Sequence, residues 1–345
     1  IRSGLVIGII NVLMSFTTSP KQLFFLRMLN GAFAGFIPSA IALVATSTPA
    51  ERVGRALALI QTGTAAGNIL GPMIGGALAD LLGIRSSMRA AGGIIWTATL
   101  LVALGVRERI PPAQGERTSP IQDLKIAVTS QALLALLVST VLITASIQSL
   151  EPILTKFVPS LRQDALVSWA TRLIFGRTDA YATVAGFIFS LPAIATVLTA
   201  PRWAAVGDRI GYPKLLASGL LLAGLLALPQ SLVATTGQLI VLRFLYGLMT
   251  AAVQPSVNAT LSDVVHPSFR GRAFGINTSA MNIGAVLGPL LGGYVADHLG
   301  PRMVFVTTGI LLMVASIWVQ RRLASRAVEY GQVGAPAPAK DETGS

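Results

Sequence analysis

Residues 67–76 read GNILGPMIGG, four glycines and a proline inside an apolar run, and the same spacing returns at residues 284–293 as GAVLGPLLGG. In a water-exposed helix each Gly costs about 1 kcal/mol and each Pro about 3 kcal/mol relative to Ala. Small residues at this density are useful in a different solvent. In lipid, helices associate through close backbone packing rather than through the hydrophobic effect, and small residues allow that approach. The proline adds a bend by removing one backbone donor.

The composition agrees with a lipid solvent. Of 345 residues, 53% are hydrophobic and 12% charged, with mean hydropathy +0.69, against about 25% charged residues in soluble domains. Ten apolar runs are long enough for helical spans, near 3–18, 22–46, 55–79, 88–106, 127–150, 180–203, 214–233, 238–262, 272–296 and 302–320. A spanning segment must satisfy its own backbone hydrogen bonds, so these runs predict an all-α integral membrane bundle. The short alternating segments of a lipid-facing barrel are absent from the sequence.

The net charge of +12 does not point to nucleic acid. With the first span running from inside to outside, 16 of the 26 Lys and Arg fall in cytoplasmic segments, eight outside and two within spans. That is the positive-inside bias of a bilayer protein. There is no cysteine, hence no disulfide and no thiolate metal site. The two histidines, His266 and His298, fall in predicted loops, and neither a Gly-x-Ser-x-Gly elbow nor a Gly-Lys-Ser/Thr phosphate loop occurs. Neither an enzyme nor an ATPase is expected, and no metal is expected.

The two glycine stretches belong to a duplicated unit. Residues 55–85 laid over 272–302, at an offset of 217, give 13 identities in 31 positions. The preceding segments agree with one residue of slippage, Arg27, Gly31 and Pro38 answering Arg243, Gly247 and Pro255. Copies in the same orientation are related by an axis along the membrane normal and enclose a path between them. The predicted organisation is an N-terminal half at 1–106, a cytoplasmic loop at 107–126, a C-terminal half at 127–320 and a cytoplasmic tail at 321–345. Six spans fall in the second half and four in the first, which reads as a twelve-helix parent lacking its opening two helices.

With these motifs the chain resembles the Major Facilitator Superfamily, within it the twelve-helix drug:proton antiporter branch and its MdtG type. Gly67, Gly71, Pro72, Gly75 and Gly76 fit the antiporter motif of the fifth family helix, with Ala58 in place of its leading Gly; Gly284, Gly288, Pro289, Gly292 and Gly293 form the second copy. Leu23, Arg27 and Gly31 fit the motif of the fourth helix, with Asn30 and Phe33 departing from it. Gly207, Asp208, Arg209 and Gly211 fit the cytoplasmic-loop motif, although Tyr212-Pro213-Lys214 replaces its basic run. The stretches EPILTKFV (151–158) and APRWAAVGDRIG (200–211) are similar to the MdtG type.

The resemblance implies a monomeric secondary transporter of a bacterial plasma membrane, energised by the proton gradient and without a cofactor. It implies efflux of an amphipathic drug by alternating access; a metabolite symporter or facilitator and a non-transporting membrane protein are the alternatives. The antiporter motif would seal the resting state against leak, Arg27 would serve proton transfer with Arg243 in a coupling or cavity role, and Asp208 with Arg209 would form a cytoplasmic charge latch. Gln61, Thr64, Asn68, Gln254, Asn258, Asn277 and Asn282 supply polar groups for a substrate cavity. No Asp or Glu falls within the ten predicted spans, which leaves Arg27 and Arg243 without a carboxylate partner. Asp80 and Asp297 close the two repeated units at the outer face, and the sequence treats them as equivalent turns. The outer loop from Glu151 to Tyr181 reads as an interfacial helix or an ordered cap.

Overall fold

A computed structural model describes residues 1–33, 40, 41, 43, 44, 48, 50–105, 120–176 and 178–324. Pro38, most of the 107–126 loop and the tail from residue 325 lie outside the described residues. The elements are helices, with no strand among the described residues and one isolated bridge between Arg162 and Thr235. We number the α-helices α1 Arg2–Met14, α2 Pro20–Ala32, α3 Ala50–Leu82, α4 Ile84–Gly105, α5 Pro120–Thr129, α6 Gln131–Gln148, α7 Glu151–Phe157, α8 Ala165–Phe175, α9 Tyr181–Ile210, α10 Tyr212–Ala227, α11 Thr236–Thr250, α12 Val253–Val264, α13 Arg270–Leu299 and α14 Pro301–Val319.

Eight segments among the described residues are long and apolar enough to cross a membrane: Leu59–Leu82, Ile84–Gly105, Gln131–Ser160, Tyr181–Ile210, Tyr212–Leu232, Thr236–Val264, Arg270–Leu299 and Pro301–Leu323. They correspond to the last eight of the ten predicted spans. The first appears as the thirteen-residue helix α1; of the second, α2 covers the first part, and residues 34–39, 42 and 45–47 lie outside the described residues. Several spans run further than the apolar pattern predicts, because helix continues through turns that carry a charge. Asp80, Glu151, Asp208, Asp263 and Asp297 therefore fall within these longer candidate segments, each just beyond the apolar run that the sequence defines.

The chain forms two compact units, Ile1–Gly115 with Ala165–Ser190, and Glu116–Asp164 with Leu191–Ser345. By sequence, 165–190 belongs to the second half; by packing it groups with the first. In the first unit α1 meets α4 at three glycines: Gly4 against Thr99, Gly8 against Trp96, and Gly92 against Val12. The Trp96 indole N–H donates to the Leu5 carbonyl at 3.2 Å. In α8, Leu166, Trp169, Leu173 and Ile174 are exposed, the arrangement of an amphipathic interfacial helix.

In the second unit α13 lies on α6 through a glycine stripe. A Cβ on Gly284 would sit 2.7 Å from the Val141 carbonyl oxygen, one on Gly288 2.6 Å from that of Ala145, and Gly292 abuts Ser149. Across the same unit, a Cβ added to Gly224 of α10 or to Gly309 of α14 would sit 2.8 Å from the other's carbonyl oxygen. Short polar bonds reinforce these contacts. Thr140 donates to Asn277 at 2.9 Å, the Ser149 and Thr308 hydroxyls are 2.9 Å apart, and Ser316 donates to the Ala217 carbonyl at 2.6 Å. At the start of α13 Arg272 pairs with Asp123 at 2.9 Å, fastening α5 to α13.

Backbone carbonyls opposite Gly288 cannot retreat without breaking their own helix. Gly288→Ala is expected to lower the apparent melting temperature, measured by size exclusion after heating in detergent, by the equivalent of about 1–3 kcal/mol of overpacking. Gly293→Ala, with nothing within 4 Å of the added methyl, is expected to leave it unchanged or raise it.

Candidate functional site

The two glycine motifs, alike in sequence, use different faces. Gly67, Gly71 and Gly75, the counterparts of the packed stripe at 284, 288 and 292, have no atom within 4 Å of an added Cβ. The first copy packs instead through Gly76, which meets the Ala182 carbonyl, while Gly186 of α9 meets that of Pro72. Ser190 of α9 donates to the Ile69 carbonyl. Gly293, the counterpart of Gly76, is exposed. Pro72 and Pro289 each lie inside their long helix.

This contact brings Asp80 to the start of α9, where the first-turn N–H groups have no helical acceptor. One Asp80 carboxylate oxygen accepts from the Ala182 N–H at 3.3 Å. The other accepts from the Thr183 N–H and from the Thr183 hydroxyl, both at 2.7 Å. A carboxylate there also meets the positive end of the helix dipole. Asp297, its repeat counterpart, is exposed. The sequence made the two look interchangeable; only Asp80 has a helix start in front of it.

Arg27 and Arg243 occupy equivalent positions along their own helices. Ser19 and Thr235 cap α2 and α11 through their side chains, with Gln22 and Gln238 three residues on in each case. Each arginine follows its cap by eight residues, a depth of about 12 Å along the helix. Their surroundings differ, Arg27 being exposed and Arg243 5% exposed. The Arg243 guanidinium stands 5.3 Å from the centre of the Tyr246 ring. Its Nε and Nη1 and the Tyr246 hydroxyl have no hydrogen-bond partner among the described residues.

In the cytoplasmic motif, Gly211 ends α9 with φ +89, and Gly207 leaves room for the Tyr212 ring. The Tyr212 hydroxyl donates to Asp208 at 2.6 Å. The residue that departs from the family's basic run thus supplies the partner of Asp208, and Arg209 is exposed. Of the polar candidates, Gln61, Asn68, Gln254 and Asn282 are exposed, while Thr64 and Asn258 are half-buried. Gln254 donates to Asn258 at 3.2 Å. Asn277 differs from the rest: it is 2% exposed and bonded to Thr140, a packing position inside the second unit.

The sequence profile described as Major Facilitator Superfamily matches residues 1–176 and 164–341. The chain belongs to this family. It is 34% identical over 319 residues to "Multidrug resistance protein MdtG" of Enterobacter lignolyticus (strain SCF1), covering 92% of this chain and 73% of the relative. The protein of the same name from Citrobacter koseri is 36% identical over 317 residues, covering 91% and 75%. Among solved structures, a POT family transporter in complex with 5-aminolevulinic acid superposes with TM-score 0.71 at 14% identity, over 92% of this chain and 80% of that one. At that identity the likeness speaks for the fold alone. Family membership makes the chain a secondary transporter, multi-pass in the bacterial inner membrane.

Asp80 is the residue that sequence reasoning passed over. For Asp80 we expect loss of the cap to be local. Asp80→Ala should raise amide hydrogen exchange at Ala182 and Thr183 roughly 2- to 30-fold, matching about 0.5–2 kcal/mol for a lost N-terminal cap. Asp297→Ala should leave those amides unchanged.

Proposed function

We propose that this protein is a proton-driven exporter of amphipathic, cationic drugs, working as a monomer by alternating access. The observation that carries the reading is the similarity to multidrug resistance proteins over more than nine-tenths of the chain, together with the antiporter motif at Gly67, Gly71, Pro72, Gly75 and Gly76. Substrate enters from the cytoplasm or the inner leaflet, and the proton gradient supplies the energy. Gln61 and Asn68 in one unit, and Gln254 and Asn282 in the other, are exposed polar groups on otherwise apolar helices, the sparse polar contacts that suit an amphipathic substrate. Asp80 holds the outer start of α9 against the antiporter helix and serves as an outer latch. The Tyr212–Asp208 bond keeps the cytoplasmic end of α9 in one geometry. Arg27 carries a charge about 12 Å into its helix, a cost that lipid tolerates where the charge has work to do.

The test is pH-gradient-driven ethidium transport by the full-length protein in everted membrane vesicles. We expect uphill transport that collapses with an uncoupler. At equal membrane abundance, Arg27→Ala is expected to lower it roughly tenfold or more, read as a loss in the transport rate. Substrate-independent silence of the wild-type protein across cationic dyes would overturn drug export and favour a metabolite carrier of the same fold.

A further inference from the structure

We propose that Trp203 is a positioning residue for transport: its indole N–H clasps a break in the span Thr236–Val264 and so fixes the angle of α12, the helix that carries Gln254 and Asn258. The claim deepens the drug-export reading and rests on it, because Gln254 is one of the sparse polar contacts assigned there to the substrate.

The span is one segment by length and two helices by hydrogen bonding. α11 stops at Thr250, Ala251 and Ala252 form a turn, and α12 starts at Val253. The sequence supplies the cause. Pro255 has no N–H to give to the carbonyl four residues before it, that of Ala251, and the Ala252 N–H goes to the Met249 carbonyl at 3.3 Å rather than to that of Leu248. The Leu248 carbonyl thus loses the donor that a continuing helix would provide. The turn is buried, Ala251 and Ala252 being 1% and 0% exposed, and within a span a carbonyl without a donor is costly. The missing donor comes from another helix: the Trp203 indole N–H of α9 donates to the Leu248 carbonyl at 2.8 Å.

Trp203 stands in the part of α9 that belongs to the same unit as α11 and α12. On one side of the break α11 is held at both ends. At its start the Thr236 N–H donates to the Arg162 carbonyl at 3.0 Å and the Gly237 N–H to the Asp164 carboxylate. Near its end a Cβ added to Gly247 would sit 2.6 Å from the Pro192 Cα, so the α9 and α11 backbones touch one residue before Leu248. On the other side α12 is tied at its far end, where Arg270 donates to the Ser262 carbonyl at 3.2 Å. Nearer the break its polar groups hold less. The Ser256 and Thr260 hydroxyls, 0% and 1% exposed, have no hydrogen-bond partner among the described residues. Gln254 donates to Asn258 at 3.2 Å and approaches the Met281 sulfur at 3.9 Å, both longer contacts than the clasp.

A break of this kind is a joint. Rotation at Ala251 and Ala252 carries the first turns of α12 with it, and Gln254 and Asn258 lie in those turns. The clasp selects one angle. Without it the two polar side chains keep their chemistry but lose a fixed place, which weakens substrate binding more than it slows the conformational cycle.

The test removes the indole N–H from the full-length protein without changing the shape of the ring. Trp203→benzothienylalanine keeps the fused rings and lacks the N–H; Trp203→fluorotryptophan keeps both. Amide hydrogen exchange reads the break directly. The benzothienyl protein should exchange the Ala251, Ala252 and Ser256 amides roughly 2- to 12-fold faster, the loss of one ordinary hydrogen bond, and the fluorotryptophan protein at the wild-type rate. Unchanged exchange in the benzothienyl protein overturns the clasp. In proteoliposomes the benzothienyl protein should raise the KM for ethidium roughly three- to tenfold while kcat stays within about twofold. Gln254→Leu should raise KM as well, and combining the two should add little, because both act through the same contact. A lower kcat at unchanged KM, or full additivity with Gln254→Leu, overturns the positioning role. Absence of ethidium transport by the wild type together with the exchange difference supports the clasp and overturns drug export alone.

Discussion

Helices in lipid gain nothing from hiding apolar surface, so what holds them together must come from contact distance and from polar bonds made where no water competes. The glycines supply that distance. At Gly284, Gly288 and Gly292 the backbone of α13 reaches the carbonyls of α6, and at Gly224 and Gly309 two further helices meet backbone to backbone. The hydroxyl bonds of Thr140, Ser149, Thr308 and Ser316 are short because the backbones are already close. Remove the glycines and those bonds lose their geometry too.

The same constraint explains why a repeated motif has two meanings. Residues four apart share a helix face, so the motif offers a stripe at its first, fifth and ninth positions and a further contact at its tenth. The second copy uses the stripe; the first uses the tenth position, Gly76, against the start of α9. That choice places Asp80 at a helix start and gives it three hydrogen bonds, while Asp297 stays exposed. Asymmetry between two like halves thus follows from which neighbour each helix finds, and it concentrates the distinctive polar contacts in different places in the two copies.

Charges in the spans follow a parallel logic. Arg27 and Arg243 were legible as intramembrane cations, and the caps at Ser19 and Thr235 put them at equivalent positions along their own helices. Their environments were not legible. Arg243 is buried beside the Tyr246 ring, whereas Arg27 is exposed. Apolar runs locate the middle of a span well and its ends poorly, because a helix continues through a charged residue near its end, as at Asp80 and Asp297.

The sequence by itself determined the solvent, the class of fold, the duplication and the family, because lipid demands long uncharged helices and the motif spacing is read directly along the chain. It also determined which residues share a helix face. Tertiary structure alone decided what stands opposite each face: Ala182 against Gly76, α6 against the second glycine stripe, Tyr212 on Asp208 and Thr140 on Asn277. Helical periodicity sets direction around one axis. It contains no information on the position of another axis, and most of these contacts join residues about a hundred positions apart.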